Sequence, residues 1–208
     1  MTRLITIIAL LIVKLLSAQS MSESKMEKAL SFWQQSKNEE AKVLFEEVTE
    51  SDAGNWLPYY YLSLLYTADA FEQRGNQETM KRLLETAQGF QDKANNLQPE
   101  NAEVLIIQAR ILTGWILVDP MLYGRQNSAD AMYILNKAAE LEPENPRVAL
   151  EKVLFDIGKA KYFGQDVQGF CGELQRTKEL FATFKPETAL HPDWGREKLA
   201  EALAKCNE

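Results

Sequence analysis

The fold is decided by the stretch KAAELEPENPRV, residues 137–148, because a near-copy, KANNLQPENAEV, occupies residues 93–104. Each copy runs from a helix-like pattern through Pro-Glu-Asn into a second helix-like pattern. Proline cannot continue a helix, and the asparagine two residues later is a residue type that caps the start of one. The repeated phrase therefore predicts a hinge between consecutive helix pairs.

Similar breaks between predicted helix pairs recur along the chain with a nearly constant period. They fall at Ala53, Pro99, Pro143 and Pro186, which are separated by 46, 44 and 43 residues. A period in this range is typical of stacked helix hairpins, in which each unit buries its apolar face only against its neighbours. Beyond residue 21 the apolar residues follow helical spacing, and strand-like alternation is hard to find. We therefore predict an all-α helical-repeat protein, an α-solenoid of about four hairpins with a C-terminal capping helix.

The predicted helices pair along the chain into repeat units. The units cover about residues 22–55, 56–101, 102–145 and 146–188, followed by a cap at 193–206. After a first pair between Met26 and Val48, the predicted helices are 56–71, 78–97, 102–115, 129–141, 148–162, 167–184 and 195–206. The third pair has an irregular connection between its two helices.

The second helix of each pair carries a pattern that resembles the tetratricopeptide repeat (TPR). A small residue is followed by a bulky one, a second small one and then proline, and the set that fits fully is Ala131, Leu135, Ala138 and Pro143. The sets that fit in part are Ala87, Gln91, Ala94 and Pro99, then Ala41, Phe45, Val48 and Ala53, which lacks the proline. In a first helix, Tyr59, Leu62, Ser63 and Tyr66 match a second series of the family, which is a large residue, leucine, a small residue and an aromatic one. Small residues let two helices approach closely, and a bulky neighbour fills the gap beside them.

The units are longer than the usual TPR unit of about 34 residues. The second has about twelve extra residues and the third about ten, and we expect this material between the two helices, as turns that project from one edge of the stack. A HEAT-like array, whose units run to roughly 40 to 47 residues, is the alternative architecture. The small-large-small series favours the TPR-like one.

Three stretches carry a finer resemblance. VDPMLYGRQNS, FGQD and LFATFKPETALHPDWG resemble stretches of exported, uncharacterised TPR-like proteins of Bacteroidetes-type bacteria. This resemblance covers most of the chain beyond the N-terminal segment and implies a fold and a compartment, but no activity.

The TPR resemblance implies a concave groove lined by the first helices. It places Tyr60, Arg110 and Thr113 toward that groove, where an arginine beside aromatic rings suits a peptide carboxylate or another acidic group. Trp115, Tyr123 and Arg125 belong to the long insertion of the third unit, which we predict to form a lip of the groove. The alternative is a turn that folds its aromatic side chains back over the stack.

The first 20 residues are predicted to be a signal peptide. Arg3 precedes a ten-residue apolar run, Leu4 to Val13, and cleavage fits after Ala18 or after Ser20. The apolar run is shorter than the roughly 20 residues that a membrane span needs. We expect an exported, soluble, periplasmic protein with no membrane span after removal of the segment. The alternative is a chain anchored by an uncleaved segment.

Composition and missing motifs exclude several classes of function. The chain has 30 acidic and 23 basic residues, a formal net charge of -7 and no basic run, which argues against nucleic acid as a partner. It lacks the zinc-protease, phosphate-loop and nucleophile-elbow motifs. The lone His191 in LHPDWG is expected to be a structural loop residue. We predict no catalytic residue, no metal site and no cofactor.

The two cysteines, Cys171 and Cys206, permit one disulfide bond in an oxidising compartment. That bond would pin the capping helix to the array. The alternative is a pair of buried thiols that behave as small apolar residues.

These observations favour a non-catalytic, exported scaffold that binds a protein or peptide in a TPR-like groove. A structural subunit of a cell-envelope assembly is the second hypothesis, and an enzyme with an unrecognised site is the third. The sequence does not identify the partner.

Overall fold

A computed structural model describes residues 21–206 of the chain, so the proposed signal peptide lies outside the described residues. The described residues form helices and turns, without strands. The first helix, α1, is described over 21–34. It is followed by α2 Asn38–Ser51, α3 Trp56–Glu72, α4 Gln77–Leu97, α5 Ala102–Val118, α6 Pro120–Leu141, α7 Pro146–Tyr162, the 3-10 turn Gln168–Phe170, α8 Cys171–Thr183 and α9 Arg196–Ala204. Across 21–206, no helix combines the length and apolar character of a membrane span.

The helices stack as successive hairpins. Helix α3 packs on α4, α5 on α6 and α7 on α8, while α9 packs on α8 at the end of the array. The first helices also touch one another, α3 with α5 and α5 with α7, and thereby form one layer. Helix α1 joins this layer, since the Trp33 and Tyr61 rings meet edge to face with centroids 5.6 Å apart. The predicted all-α helical repeat is confirmed.

The repeated phrase is a helix-capping hinge, as predicted. Asn55, Asn101 and Asn145 are the N-cap residues of α3, α5 and α7, and each side chain accepts a hydrogen bond from one or two backbone N–H groups of the first turn. These bonds satisfy donors that a helix start otherwise leaves unpaired, and each cap of this kind contributes about 1 kcal/mol. The hinge thus fixes where every new first helix begins.

The small-large-small pattern lies in the core. Its members in α2, α4 and α6 are all buried: Ala41, Phe45, Val48, Ala87, Gln91, Ala94, Ala131, Leu135 and Ala138. Gln91 is the polar exception in a bulky position, and its Nε2 donates to the Val104 carbonyl at 2.7 Å. That bond ties the second helix of one hairpin to the first helix of the next.

Two predicted boundaries are wrong. The irregular connection of the third pair does not exist, because α6 begins at Pro120 and only Asp119 separates it from α5. Asp119 caps the new helix by accepting from the N–H groups of Met121 and Leu122, and Pro120 fits its first turn, where no N–H is needed. The extra residues of this unit therefore lengthen a helix instead of forming a projecting turn. Helix α8 begins at Cys171, after the 3-10 turn, and not at residue 167.

The turn into α9 requires a glycine at position 195. Gly195 has φ 108°, and a Cβ built there would lie 2.9 Å from Phe181 Cζ and 3.0 Å from Leu150 Cδ2, both side chains being buried. The φ of Gly164 is 66°, but a Cβ there would meet nothing within 4 Å. A left-handed backbone costs an alanine roughly 1 to 2 kcal/mol, and crowding adds about 1 to 3 kcal/mol.

We therefore expect Gly195→Ala to lower the free energy of unfolding by about 2 to 5 kcal/mol and Gly164→Ala by about 1 to 2 kcal/mol. Urea denaturation of both variants measures the difference. Equal losses would show that the contact with Phe181 and Leu150 does not constrain position 195.

Candidate functional site

The inner face of the first-helix layer is covered by the chain itself. Residues 184–195, here called the crossing segment, connect α8 to α9 and lie across this layer. As a result, consecutive residues of α3 and α5 are buried all around the helix: Leu57 to Leu65 in α3 and Ala102 to Ile107 in α5. A groove of the kind expected from the sequence is occupied in this structure.

Contacts of individual side chains hold the crossing segment on α3. Tyr61 donates its hydroxyl to the Leu190 carbonyl at 2.9 Å, and Trp194 Nε1 donates to the Tyr60 hydroxyl at 2.7 Å. The His191 ring meets the Trp56 ring edge to face, with centroids 5.9 Å apart. These contacts thus involve a backbone carbonyl and aromatic side chains of the crossing segment, which is not helical.

Beneath the crossing segment, a buried polar network joins three hairpins. Tyr60 of α3 donates to Glu103 Oε2 at 3.1 Å, while Arg147 of α7 binds both oxygens of Glu103 at 2.6 to 2.9 Å. Asn145 donates to Glu103 Oε1 at 2.6 Å. Glu103 and Arg147 occupy the same position, two residues after the capping asparagine, in the two copies of the repeated phrase. The copies are therefore joined directly by an ion pair.

Burial and charge set the protonation of this network. Burial raises the pKa of Tyr60 well above its usual value, and the Glu103 carboxylate adds to the effect, so the hydroxyl keeps its proton and remains a donor. Burial opposes the charge of Arg147, but the hydrogen bonds and charge of Glu103 raise its pKa overall. The network thus combines a phenol that keeps its proton with the ion pair of Arg147 and Glu103.

Two positively charged side chains, Arg110 and Lys198, lie at the α9 end of the covered face. Arg110 of α5 pairs with Glu151 of α7, and its guanidinium carbon Cζ lies 5.4 Å from the centroid of the Phe71 ring and 5.4 Å from that of the Trp194 ring. Lys198 of α9 is half-buried, and the positive charge of Arg110 acts on its ammonium group. Burial first, then Arg110, lowers the pKa of Lys198 to about 8.

The three groove residues expected from the TPR resemblance lie on the first-helix layer but differ in accessibility. Tyr60 and Arg110 are buried, with 0% and 4% of their surface exposed, because the crossing segment covers them. Thr113 is half-buried and donates its hydroxyl to the Ala109 carbonyl at 2.8 Å. Partner binding by these residues remains a prediction, and it requires the crossing segment to move.

The three insertion residues lie on helices and do not form a separate lip. The Trp115 and Tyr123 rings are 5.2 Å apart and pack against the main core, which matches the alternative of aromatic side chains folded over the stack. Arg125 is exposed on α6. The exposed apolar side chains nearest this turn are Leu117, Met121 and Leu122, so the tip of the third hairpin carries an apolar surface patch.

The remaining chemistry-bearing residues lie near the C-terminal end. Cys171 and Cys206 form a disulfide bond that joins the start of α8 to the end of α9. A cleft of about 90 Å³ lies beside it. His191 lies in the crossing segment, with Nδ1 2.8 Å from Thr188 Oγ1 and Nε2 3.3 Å from Glu187. Residues 21–206 contain no cluster of three metal-ligating side chains.

Sequence reasoning missed the crossing segment and the network below it. Two signals were present. The stretch between the last two helices is longer than the Pro-Glu-Asn hinges and contains the aromatic residues Phe184 and Trp194. The two copies of the repeated phrase also carry opposite charges, Glu103 and Arg147, at equivalent positions.

Comparison with known proteins gives a fold and no family. No protein-family model and no curated protein sequence matches the chain. Among solved structures, the HusA haemophore from Porphyromonas gingivalis is similar, with a TM-score of 0.74 and 20% sequence identity over 88% of this chain and 91% of that one. PilF of Pseudomonas aeruginosa matches with a TM-score of 0.34 and 17% identity over 92% and 88% of the two chains, which is too low to support an argument. The similarity to the haemophore shows that the architecture is shared along nearly the whole chain.

Proposed function

We propose that this protein is an exported, non-catalytic binding protein that takes its ligand on the inner face of the first-helix layer, in place of the crossing segment. The observation that carries the proposal is the crossing segment itself. The inner face already holds an irregular, non-helical stretch of polypeptide through a backbone carbonyl, an indole and an imidazole ring. A peptide or a segment of a protein partner offers the same groups, and helical-repeat proteins bind such segments on their inner surfaces.

The crossing segment makes few polar bonds to α3, and its Leu190 and Trp194 side chains pack against the main core. Its contacts to α3 comprise the two hydrogen bonds from Tyr61 and Trp194 and the ring contact of His191. Each neutral hydrogen bond contributes about 0.5 to 1.5 kcal/mol net. Both ends of the segment are attached to helices, which gives the segment a high effective concentration at the inner face. An incoming ligand has to compete with it. A natural ligand must therefore make better contacts than the segment does.

A second candidate ligand is haem, the cargo that the name of the similar haemophore states for that protein. The covered face carries the rings of Trp56, Tyr60 and Tyr61, which suit a flat apolar molecule. His191 is the single histidine of the sequence, and histidine is a common ligand of haem iron. Its ring is half-buried, and its Nε2 lies 3.3 Å from a carboxylate oxygen of the exposed Glu187. His191→Ala then changes the absorbance maximum of bound haem if His191 ligates the iron.

The structural-subunit hypothesis rests on the exposed apolar tip formed by Leu117, Met121 and Leu122. Such a tip suits a contact with another subunit. Native mass separates the hypotheses, because a binding protein of the proposed kind stays monomeric without its ligand. Within the described residues, no acid, base and nucleophile converge on one site that would support an enzymatic activity.

The proposal is tested with the crossing segment as a probe. Trp194→Ala removes the indole that fastens the segment to Tyr60, and we expect the variant to bind a fluorescent peptide of sequence FKPETALHPDWG, residues 184–195, at least about tenfold more tightly than the unmodified protein does. Fluorescence anisotropy measures the affinity. Haemin and candidate partner peptides are then added as competitors.

Phe163→Ala is the matched control, since Phe163 is an exposed aromatic residue outside the crossing segment. It should bind the labelled peptide no better than the unmodified protein. Equal affinity of all three proteins for the peptide would contradict the inner-face site. Competition by haemin, but not by peptides, would select the second candidate.

A further inference from the structure

We propose that the ligand of the inner face is a peptide segment that carries a tryptophan, whose indole takes the place of Trp194 against Tyr60 and Arg110. This inference rests on the proposed inner-face site and names the chemical class of its ligand. It follows from the hydrogen-bonding roles of two neighbouring tyrosines. Tyr60 offers an acceptor to the crossing segment, and Tyr61 offers a donor.

The hydroxyl of Tyr60 has only an acceptor left for a ligand. A phenol has a single O–H, and Tyr60 donates it to Glu103 Oε2 at 3.1 Å. That carboxylate is ion-paired with Arg147, so it acts as an acceptor. Trp194 Nε1 lies 2.7 Å from the Tyr60 hydroxyl, and an indole N–H can only donate. A ligand that replaces Trp194 must therefore bring a donor, or it leaves a buried oxygen without this bond.

Arg110 adds a preference for an electron-rich ring. Its guanidinium carbon Cζ lies 5.4 Å from the centroid of the Trp194 ring, which is within the range of a cation–π contact. The ion pair with Glu151 of α7 holds Arg110 in this position. Tryptophan makes the strongest contact of this kind and also carries an N–H donor, whereas phenylalanine has no donor. The surroundings of Trp194 thus favour an indole over other aromatic groups.

Tyr61 favours a polypeptide as the bearer of that indole. It donates its hydroxyl to the Leu190 carbonyl at 2.9 Å, and every peptide has such carbonyls. The accepting carbonyl lies four residues before the indole, in a stretch without helix that includes the buried Pro192. Haem, whose pyrrole nitrogens hold the iron, offers no N–H donor to Tyr60. A non-helical peptide with a carbonyl and an indole at this spacing meets both requirements.

Two labelled peptides test the role of the indole. One is FKPETALHPDWG, residues 184–195, and the other carries benzothienylalanine in place of the tryptophan, so that a sulfur atom replaces the N–H in a ring of nearly the same shape. Both are titrated by fluorescence anisotropy against the Trp194→Ala variant, whose inner face lacks the chain's own indole. We expect the tryptophan peptide to bind about tenfold more tightly, because the analogue leaves the Tyr60 oxygen without a donor.

Two further substitutions in the Trp194→Ala protein identify the acceptor. Tyr60→Phe removes the hydroxyl but keeps the ring and the ion pair below it, and it should make the two peptides bind equally. Tyr59→Phe is the matched control, since Tyr59 is a buried tyrosine of the same helix whose hydroxyl donates to the Thr49 carbonyl of α2 at 3.4 Å. This variant should keep the preference for the tryptophan peptide. Urea denaturation checks that both variants are folded.

Equal binding of the two peptides to the Trp194→Ala variant overturns the inference and leaves the inner-face site in place. The same holds if the preference survives Tyr60→Phe or is lost equally in Tyr59→Phe. The comparison of the two peptides needs no change at Tyr60, so it decides the question even if Tyr60→Phe does not fold. If neither peptide binds the Trp194→Ala variant, the inner-face site itself is wrong and the inference falls with it.

Discussion

Replacing Glu103 by alanine is expected to lower the free energy of unfolding by about 3 to 5 kcal/mol, because it leaves Arg147 charged, buried and without a partner. The side chain of Arg147 is only 2% exposed, and Glu103 accepts all of its paired N–H groups. Tyr60 and Asn145 lose the same acceptor. Three hairpins meet at this carboxylate, so the loss spreads beyond one repeat.

Chemical denaturation of three variants tests this expectation. Glu100→Ala is the surface control, since Glu100 is 77% exposed on the same hinge and lies 4.0 Å from Lys137, and it should cost less than about 0.5 kcal/mol. Replacing both members of the buried pair, Glu103→Leu with Arg147→Met, should cost less than Glu103→Ala alone, because no buried charge is left over. A single variant as stable as the surface control would contradict the role of the network.

The network also shows how far local sequence patterns predict this fold. The caps at Asn101 and Asn145 and the buried trio of Ala131, Leu135 and Ala138 were predictable, because each depends on a few neighbouring positions. The start of α6 was also encoded locally, since Asp119 followed by Pro120 is a helix-start signal. The same Asp-Pro pair also occurs in turns, so the sequence alone is equally compatible with the predicted irregular connection between α5 and α6.

The covered inner face was beyond such reasoning. Trp194 donates to Tyr60 across 134 positions of the sequence, and Tyr61 reaches Leu190 across 129. No spacing rule connects residues so far apart, and the usual TPR groove is expected to be open. The TPR resemblance placed Tyr60 and Arg110 on the correct layer, but only the fold shows that the chain's own crossing segment covers them.

Removing the disulfide, by Cys171→Ser together with Cys206→Ser, is expected to lower the free energy of unfolding by about 3 to 4 kcal/mol in the chain-entropy description. The bond closes a loop of 35 residues and holds α9 against α8. That loop includes the whole crossing segment, so the same bond limits how far the segment can leave the inner face. Denaturation with and without reductant measures the effect, and the double variant, which should not respond to reductant, is the control.

The disulfide should therefore influence binding as well as stability. Without it, α9 is attached to the array by packing around Leu199, Phe181 and Leu150 and by the contacts of Arg196 with Phe181, and the crossing segment loses a fixed end. The reduced protein is then expected to be cleaved faster by protease within residues 184–195 and to bind the labelled peptide of that sequence more tightly, while the circular dichroism of the helices is unchanged. If reduction lowered stability but altered neither cleavage nor peptide affinity, the bond would stabilise α9 alone, and the crossing segment would be held on the inner face by its contacts with Tyr60 and Tyr61.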